Sequence, residues 1–236
     1  MGTVSTCALC RLERSLIKSH IYPKFLYEKI YDNKHFYRVL LTESSGTPST
    51  QHPEGVYERL LCEDCDRRRL GRLDNYAATV FKGGIDIEIT DLPDRLIVGN
   101  IDYPTFKLWL LSLLWRCGVT KQIEFKATSL DPHAEILRQM LLTEDPGLPH
   151  QYGCTVILPS SHEVIKRILY PPEPINIDGH KCYRAAFGAL WWIFVVSGHS
   201  ADFPFQEGFL SQQGALCLFK EHKHSGEFLR KLWEKL

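Results

Sequence analysis

Two Cys-x-x-Cys pairs, Cys7/Cys10 and Cys62/Cys65, constrain the fold of this 236-residue chain more than any other feature. A two-residue gap lets both thiolates of a pair turn toward one ion, and four sulfurs complete the tetrahedral coordination of structural zinc. We therefore predict one structural Zn²⁺ site that joins the N-terminal third of the chain. The alternatives are unrelated free cysteines or a redox pair, and the identical spacing of the two pairs favours zinc.

The other four cysteines stand singly in apolar stretches, where a thiol usually packs as a small hydrophobic side chain. They are Cys117, Cys154, Cys182 and Cys217. We predict that none of them binds a metal.

The composition indicates a soluble protein. The formal net charge is zero, so no whole-chain basic field points to a nucleic-acid partner. The first residues contain two cysteines and no apolar core of the kind that a signal peptide requires. The longest apolar runs, 108–115 and 189–196, are far shorter than the ~20 residues that cross a bilayer. We predict a cytoplasmic protein with no membrane partner.

The distribution of cysteine pairs and apolar residues along the chain predicts an α+β protein with two domains. Residues 1–82 hold both cysteine pairs and form the zinc-bound domain. The 51 residues between Cys10 and Cys62 favour a treble-clef arrangement, in which a hairpin supplies one pair and a helix start the other. Residues 83–100 are interpreted as a connector with one or two short extended pieces. Residues 101–236 are rich in Trp, Leu and Phe and predict a mixed helix-and-strand domain.

Within residues 1–82, Pro and Gly punctuation places an exposed loop at 43–55. An extended piece beginning at Ser19 is followed by a short helix from about Pro23, because proline is favoured in a first helical turn. Residues 56–61 predict a strand, and residues 65–81 predict a helix.

Residues 101–236 predict two helices, 103–117 and 133–143, of which the first is apolar nearly all round and is expected to be buried. Four short apolar runs bounded by turn residues predict buried strands. These are 154–158, 182–187, 189–196 and 215–219, and a terminal helix is predicted at 226–236. Gly188 is expected at a turn, although a helix continuing through it is the alternative.

The segments SHIYP, which contains His20, and LLCEDCD, which ends at Asp66, carry a functional signal. Together with CALC at Cys7, they resemble the HNH (ββα-metal) endonucleases, particularly those closed by two Cys-x-x-Cys pairs. The resemblance covers about residues 7–82. It implies a metal-dependent endonuclease that hydrolyses DNA phosphodiester bonds, in a class of small proteins often found in phage defence.

The resemblance implies a role for each matching residue. His20 would be the general base toward a water that attacks phosphorus, and Asp66 would hold a catalytic Mg²⁺ or Mn²⁺. The family has an acidic metal ligand before the histidine, where this chain has Ser19, and a hydroxyl is a poorer ligand for a hard cation. The alternatives are a structural role for His20 and a helix-dipole interaction for Asp66.

Several cations surround these two residues. They are Lys18, Lys24, Arg67, Arg68, Arg69 and Arg72. We expect them to contact DNA phosphates, and the alternative is a solvated helix face. Asp74 lies two helical turns beyond Asp66, about 12 Å along the axis, which is too far for both to share one ion without a kink at Gly71.

Two other functions remain open from the sequence. The chain could be a non-catalytic zinc treble-clef module that binds nucleic acid or a partner protein. It could also be an accessory subunit whose C-terminal part docks on another effector. In either case residues 101–236 are the expected site of a protein partner or of homo-oligomerisation.

Overall fold

The computed structural model describes residues 4–28, 38–39, 55–84, 86–159, 168–196 and 200–221. Within these ranges the chain is a mixed α+β protein, as the sequence predicts. The predicted terminal helix at 226–236 and nearly all of the predicted loop at 43–55 lie outside them.

The strands in the described ranges are, in chain order, β1 (Val4–Thr6), β2 (Glu13–His20), β3 (Arg38–Val39), β4 (Tyr57–Cys62), β5 (Glu88–Asp91), β6 (Arg95–Gly99), β7 (Cys154–Leu158), β8 (Ile168–Ile177), β9 (His180–Phe187), β10 (Leu190–Val195) and β11 (Leu216–Lys220). The α-helices there are α1 (Lys24–Glu28), α2 (Gly71–Phe81), α3 (Tyr103–Val119) and α4 (His133–Thr143). A π-helical segment, Asp64–Leu70, runs directly into α2.

The strands form two sheets. The smaller sheet has the order β1-β2-β4 and is antiparallel throughout. The larger sheet has the order β3-β8-β9-β10-β7-β11-β6-β5, in which β3 is parallel to β8 and β11 is parallel to β7. Strands β5 and β6 come from residues 83–100, so the extended pieces predicted there are present and belong to the larger sheet.

Most predicted elements of the C-terminal part are confirmed. Helix α4 has the predicted bounds, and α3 extends two residues beyond the predicted end. The turn between β9 and β10 consists of Gly188 and Ala189, both with positive φ, which is the conformation that a two-residue hairpin needs. This turn rules out a helix continuing through Gly188.

Strand β8 has no counterpart in the sequence prediction. Its sequence contains Pro171, Pro172 and Pro174, which cannot donate backbone hydrogen bonds. The register with β9 shifts between Tyr170 and Glu173, so an irregularity in the pairing accommodates the two adjacent prolines. The sequence therefore looks like a loop where the sheet in fact continues.

Helix α3 is the centre of the hydrophobic core. Thirteen of its 17 residues are buried, which confirms the prediction of a buried helix. The Trp109 ring lies 5.6 Å from that of Phe81 on α2 and 6.1 Å from that of Phe187 on β9. One buried cluster thus contains residues from both cysteine pairs and from the larger sheet. None of the helices described here is long and apolar enough to cross a membrane.

Lys107 is a cation within this core. The residue is 2% exposed, and its ammonium donates to the backbone carbonyls of Pro149 and Tyr152, at 3.2 and 2.8 Å. Burial lowers the pKa of Lys107 from 10.5 to about 8, because a charge in the interior loses its hydration. The two hydrogen bonds anchor the segment between α4 and β7 to α3.

We expect a pH dependence of stability from Lys107. The pKa is lower in the folded state, so the unfolded chain binds more protons between pH 8 and 10.5 and stability rises with pH there. Relative to Lys107→Met, the wild-type free energy of unfolding should gain about 2 to 3 kcal/mol between pH 7 and pH 10. Urea denaturation of both proteins across this range measures the difference, and a constant difference would contradict the assignment.

Candidate functional site

The four cysteines of the two Cys-x-x-Cys pairs come together in space. All four Sγ atoms lie within 4.8 Å of one another, and Cys10 and Cys62 have their sulfurs 4.0 Å apart. Four thiolates around tetrahedral zinc, each at about 2.3 Å, would have sulfurs about 3.8 Å apart. These residues can therefore hold a metal ion such as zinc with small adjustments. We refer to Cys7, Cys10, Cys62 and Cys65 as the four-cysteine cluster.

The first pair lies in a tight turn between β1 and β2. The Cys7 amide donates to the Leu12 carbonyl at 3.0 Å, and the Arg11 amide donates to the Cys7 carbonyl at 2.9 Å. Arg11 has φ of 63°, which reverses the chain after Cys10. The Ala8 amide donates to a β4 carbonyl at 3.1 Å, so this turn is fixed against the strand that carries the second pair.

The second pair spans the end of β4 and the start of the helix. Cys62 is the last residue of β4, and Cys65 lies in the π-helical turn that follows. The Cys62 amide donates to the Cys7 sulfur at 3.3 Å, a bond that favours a negatively charged sulfur. The chain therefore supplies one pair from a β-turn and the other from a strand-to-helix junction.

The electrostatics of the four-cysteine cluster favour a bound cation. A hydrogen bond from the Cys65 thiol, assisted by backbone amides, lowers the pKa of Cys7 and outweighs the effect of burial. The same hydrogen bond raises the pKa of Cys65. A metal ion bound between these sulfurs would displace the thiol protons, because zinc is held by thiolates.

Helix α4 braces the four-cysteine cluster. The buried guanidinium of Arg138 donates to the Leu9 carbonyl in the first turn and to both carboxylate oxygens of Glu135. Farther along, Arg69 donates to the Leu142 carbonyl at 3.0 Å, and Arg72 pairs with Glu144 at 2.8 Å. The orientation of the helix that follows the second pair is therefore tied to α4.

Ser19 and Asp66 face each other beside the four-cysteine cluster. Ser19 is fully buried, and its hydroxyl has no hydrogen bond of full geometry among the described residues. Burial raises the pKa of the half-buried Asp66 carboxyl, and a weak hydrogen bond from the Ser19 hydroxyl opposes that increase. A partly desolvated carboxylate next to this hydroxyl offers two oxygen ligands to a cation.

His20 follows Ser19 at the end of β2 and is half-buried. Its ring lies between those of Tyr27 and Tyr57, with centroids 6.5 and 6.3 Å away. His20 also exerts an electrostatic effect on Asp66. The structure thus places Ser19, His20 and Asp66 in one neighbourhood.

The carboxylate of Asp74 is not available to this site, because it is paired with an arginine. It binds both terminal nitrogens of Arg116 on α3, at 2.8 and 3.1 Å. The Arg116 side chain is 3% exposed and also bonds to Ser112 and to the His20 carbonyl. Its positive charge lowers the pKa of Asp66, against the larger effect of burial. Arg116 is thus a fixed buried cation behind the site.

The six cationic side chains predicted to contact DNA do not lie on one surface. Arg67 and Arg68 pair with acidic neighbours one turn earlier and line an open groove of about 760 Å³, which Arg14 also lines. Arg69 and Arg72 turn toward α4 instead. Lys18 lies over the Tyr57 ring, and Lys24 is exposed at the start of α1.

The sequence interpretation did not identify Arg116 as part of this region. The available signal was a single arginine in the otherwise apolar run LWLLSLLWRC. A charged residue within a helix that is buried all round requires a partner, which indicates an ion pair without identifying Asp74.

Within the described part of the chain, the four-cysteine cluster is the one group of three or more metal-ligating side chains close enough to share an ion. Ser19, His20 and Asp66 include only two side chains of the His, Cys, Asp and Glu types and so do not form a second such group. Comparison of the chain with protein-family models, with curated proteins and with solved structures finds no match.

Proposed function

We propose that the four-cysteine cluster holds a structural zinc ion in a treble-clef arrangement. The support is the origin of the two pairs, one in a β-turn and one at a strand-to-helix junction. Four sulfur ligands leave no open coordination position, so this zinc would take no part in chemistry. Its role would be to hold the end of β2 against the helix that carries Asp66.

We further propose that the chain hydrolyses DNA phosphodiester bonds at Ser19, His20 and Asp66. The carrying observation is the buried Ser19 hydroxyl next to the partly desolvated Asp66 carboxylate, with the half-buried His20 directly after Ser19. A partly buried carboxyl with a perturbed pKa is a candidate for a functional site, since such groups cluster there.

In this mechanism His20 accepts a proton from a water molecule as the water oxygen forms a bond to phosphorus. The bond from phosphorus to the 3′ oxygen breaks, and that oxygen leaves and is protonated. The products are a 5′-phosphate and a 3′-hydroxyl. General-base assistance of this kind contributes roughly 10²- to 10⁴-fold to a rate.

Asp66 is the residue that would hold a divalent ion, with Ser19 interacting through a water molecule. Mg²⁺ commonly takes one or two carboxylates and fills its remaining positions with water and substrate phosphate oxygens, so a small set of protein ligands suits it. When bound, such an ion neutralises the phosphate and the leaving oxygen. Asp74 would not contribute, because Arg116 already occupies its carboxylate.

The test is plasmid nicking by wild-type protein and by His20→Ala with Mg²⁺ or Mn²⁺. We expect His20→Ala to lower the nicking rate by about 10²- to 10⁴-fold and to leave the zinc content unchanged. His150→Ala, a histidine in the segment before β7, is the matched control and should nick normally. If the wild-type protein nicks no DNA with either ion, the nuclease proposal is wrong.

A non-catalytic module that binds nucleic acid or protein is the second candidate. Two observations favour it. Ser19 stands where the HNH endonucleases have an acidic metal ligand. The nearby carboxylate of Asp74 is already paired with Arg116 and is not available to a metal ion. For this candidate we expect DNA binding without cleavage, with equal affinity in wild type and His20→Ala. Electrophoretic mobility shift measurements beside the nicking assay separate the two functions.

A further inference from the structure

Tyr57 is the exposed aromatic ring next to the proposed nuclease site. Its relative exposure is 37%, whereas every other Phe, Tyr and Trp whose burial the structure describes is buried or half-buried. A single exposed side chain needs no explanation by itself. The position of this one beside His20 gives it significance.

Tyr57 occupies a defined place in the smaller sheet. It pairs directly with His20 across the β2–β4 ladder, so both side chains share one face of the sheet. The two rings are 6.3 Å apart with an interplanar angle of 66°. The Gln122 side-chain amide donates to the Tyr57 carbonyl at 3.2 Å, which helps fix the start of β4.

Lys18 adds a positive charge to the same face. It lies two residues before His20 on β2, and its ammonium is 3.6 Å from the centre of the Tyr57 ring. The Lys18 side chain is exposed at the protein surface. An aromatic ring beside a lysine is the combination with which proteins bind single strands, since the ring stacks on a base and the cation contacts the backbone.

We propose that Tyr57 is a stacking platform for an unpaired base next to the scissile phosphate, and that Lys18 contacts the adjoining backbone. Single-stranded or locally unpaired DNA is then the preferred ligand, because a base inside a duplex has both faces covered by its neighbours. This proposal rests on the proposed function for its meaning in catalysis, but its binding step can be tested without cleavage. Tyr57 acts as a positioning residue, since it touches the base and not the reacting phosphate.

The test is fluorescence anisotropy with a labelled single-stranded oligodeoxynucleotide and its duplex, without added divalent ions. We expect the wild type to bind the single strand more tightly than the duplex. Tyr57→Ala should raise the Kd for the single strand by about 5- to 150-fold and leave the duplex Kd unchanged. Tyr57→Phe keeps the ring and should bind as wild type does. Tyr57→Leu keeps apolar volume without a ring and should resemble Tyr57→Ala.

Each outcome bears on the proposal. Preference of the wild type for duplex, or unchanged single-strand affinity in Tyr57→Ala and Tyr57→Leu, overturns it. A zinc content and melting temperature equal to those of the wild type show that a variant is folded. If Tyr57→Ala loses single-strand binding and the wild-type protein cuts no DNA, the stacking platform is supported and the nuclease proposal is wrong. If Tyr57→Ala binds the single strand normally and the wild-type protein cuts DNA, only the stacking platform is wrong.

Discussion

Replacing Cys62 by Ser is expected to remove the proposed zinc ion from the four-cysteine cluster and to unfold the N-terminal part of the chain. Binding of zinc to four deprotonated thiols is coupled to folding, and the apparent free energies of structural zinc sites are about 10 to 16 kcal/mol. The whole stability of a typical domain is about 5 to 15 kcal/mol. Loss of one of four ligands therefore removes a term as large as the net stability itself.

The contacts of the four-cysteine cluster indicate how far this unfolding should spread. The amide of Cys62 donates to Cys7, and the turn carrying Cys7 is held by the buried Arg138 of α4 through the Leu9 carbonyl. Without the metal, the three remaining thiols lose the ion that would organise them, and this turn is left with the Arg138 contact and its backbone hydrogen bonds. We therefore expect α4 to lose hydrogen-exchange protection together with β2 and β4, while β9 and β10 keep theirs.

The measurements for this prediction are zinc content by atomic emission, and far-UV circular dichroism during thermal unfolding. Cys217→Ser is the matched control, because Cys217 is a buried thiol in β11, outside the four-cysteine cluster. It should keep one zinc per chain and lose only the small free energy of one altered core contact. A soluble Cys62→Ser variant that unfolds cooperatively without zinc would refute a structural metal site.

The elements that the sequence predicted correctly are those with strong local signals. The Cys-x-x-Cys spacing indicated the four-cysteine cluster, and apolar runs bounded by turn residues indicated β7, β9, β10 and β11. The β8–β9 hairpin was missed, although Asp178-Gly179 is a typical two-residue turn and both residues have positive φ. The prolines of β8 concealed this signal, because they are rare inside strands.

The neighbourhood of the candidate site could be predicted in part. The resemblance of SHIYP and LLCEDCD to the HNH endonucleases singled out His20 and Asp66, and their roles stay a prediction. The role of Asp74 could not be predicted, because its partner Arg116 is 42 residues away on another helix. Sequence patterns report periodicity and spacing along the chain, whereas an ion pair between helices depends on how those helices pack.

The second large effect is expected at the ion pair between Arg116 and Asp74. Removing one partner of a buried pair leaves an uncompensated charge and costs about 3 to 5 kcal/mol. The guanidinium is 3% exposed and does not lose its proton, whereas the Asp74 side chain is 21% exposed and keeps some contact with water. We therefore expect Asp74→Asn to destabilise the chain by about 3 to 5 kcal/mol, and more than Arg116→Met does, because the more deeply buried charge is left without a partner.

The difference between the two variants follows from the exposure of the charge that remains. In Arg116→Met the remaining carboxylate of Asp74 is partly exposed, so water still solvates part of it. In Asp74→Asn the remaining charge is the guanidinium of Arg116, which is almost fully buried and has lost its carboxylate partner. Urea denaturation of both single variants and the double variant measures the two losses of stability and the coupling energy.

The exposed pair of Arg72 and Glu144 provides the control for this comparison. Its nitrogen-to-oxygen distance is 2.8 Å, the same as that of Arg116 and Asp74, but its side chains are 55% and 47% exposed. An exposed pair contributes about 0 to 1 kcal/mol, so Arg72→Met should have little effect. Equal losses for the two pairs would show that burial of Arg116 is not what ties α3 to α2 and to the end of β2. Unequal losses, larger at Arg116, would show that the buried ion pair is a main tie between α3 and α2, next to the end of β2 where the His20 carbonyl accepts from Arg116.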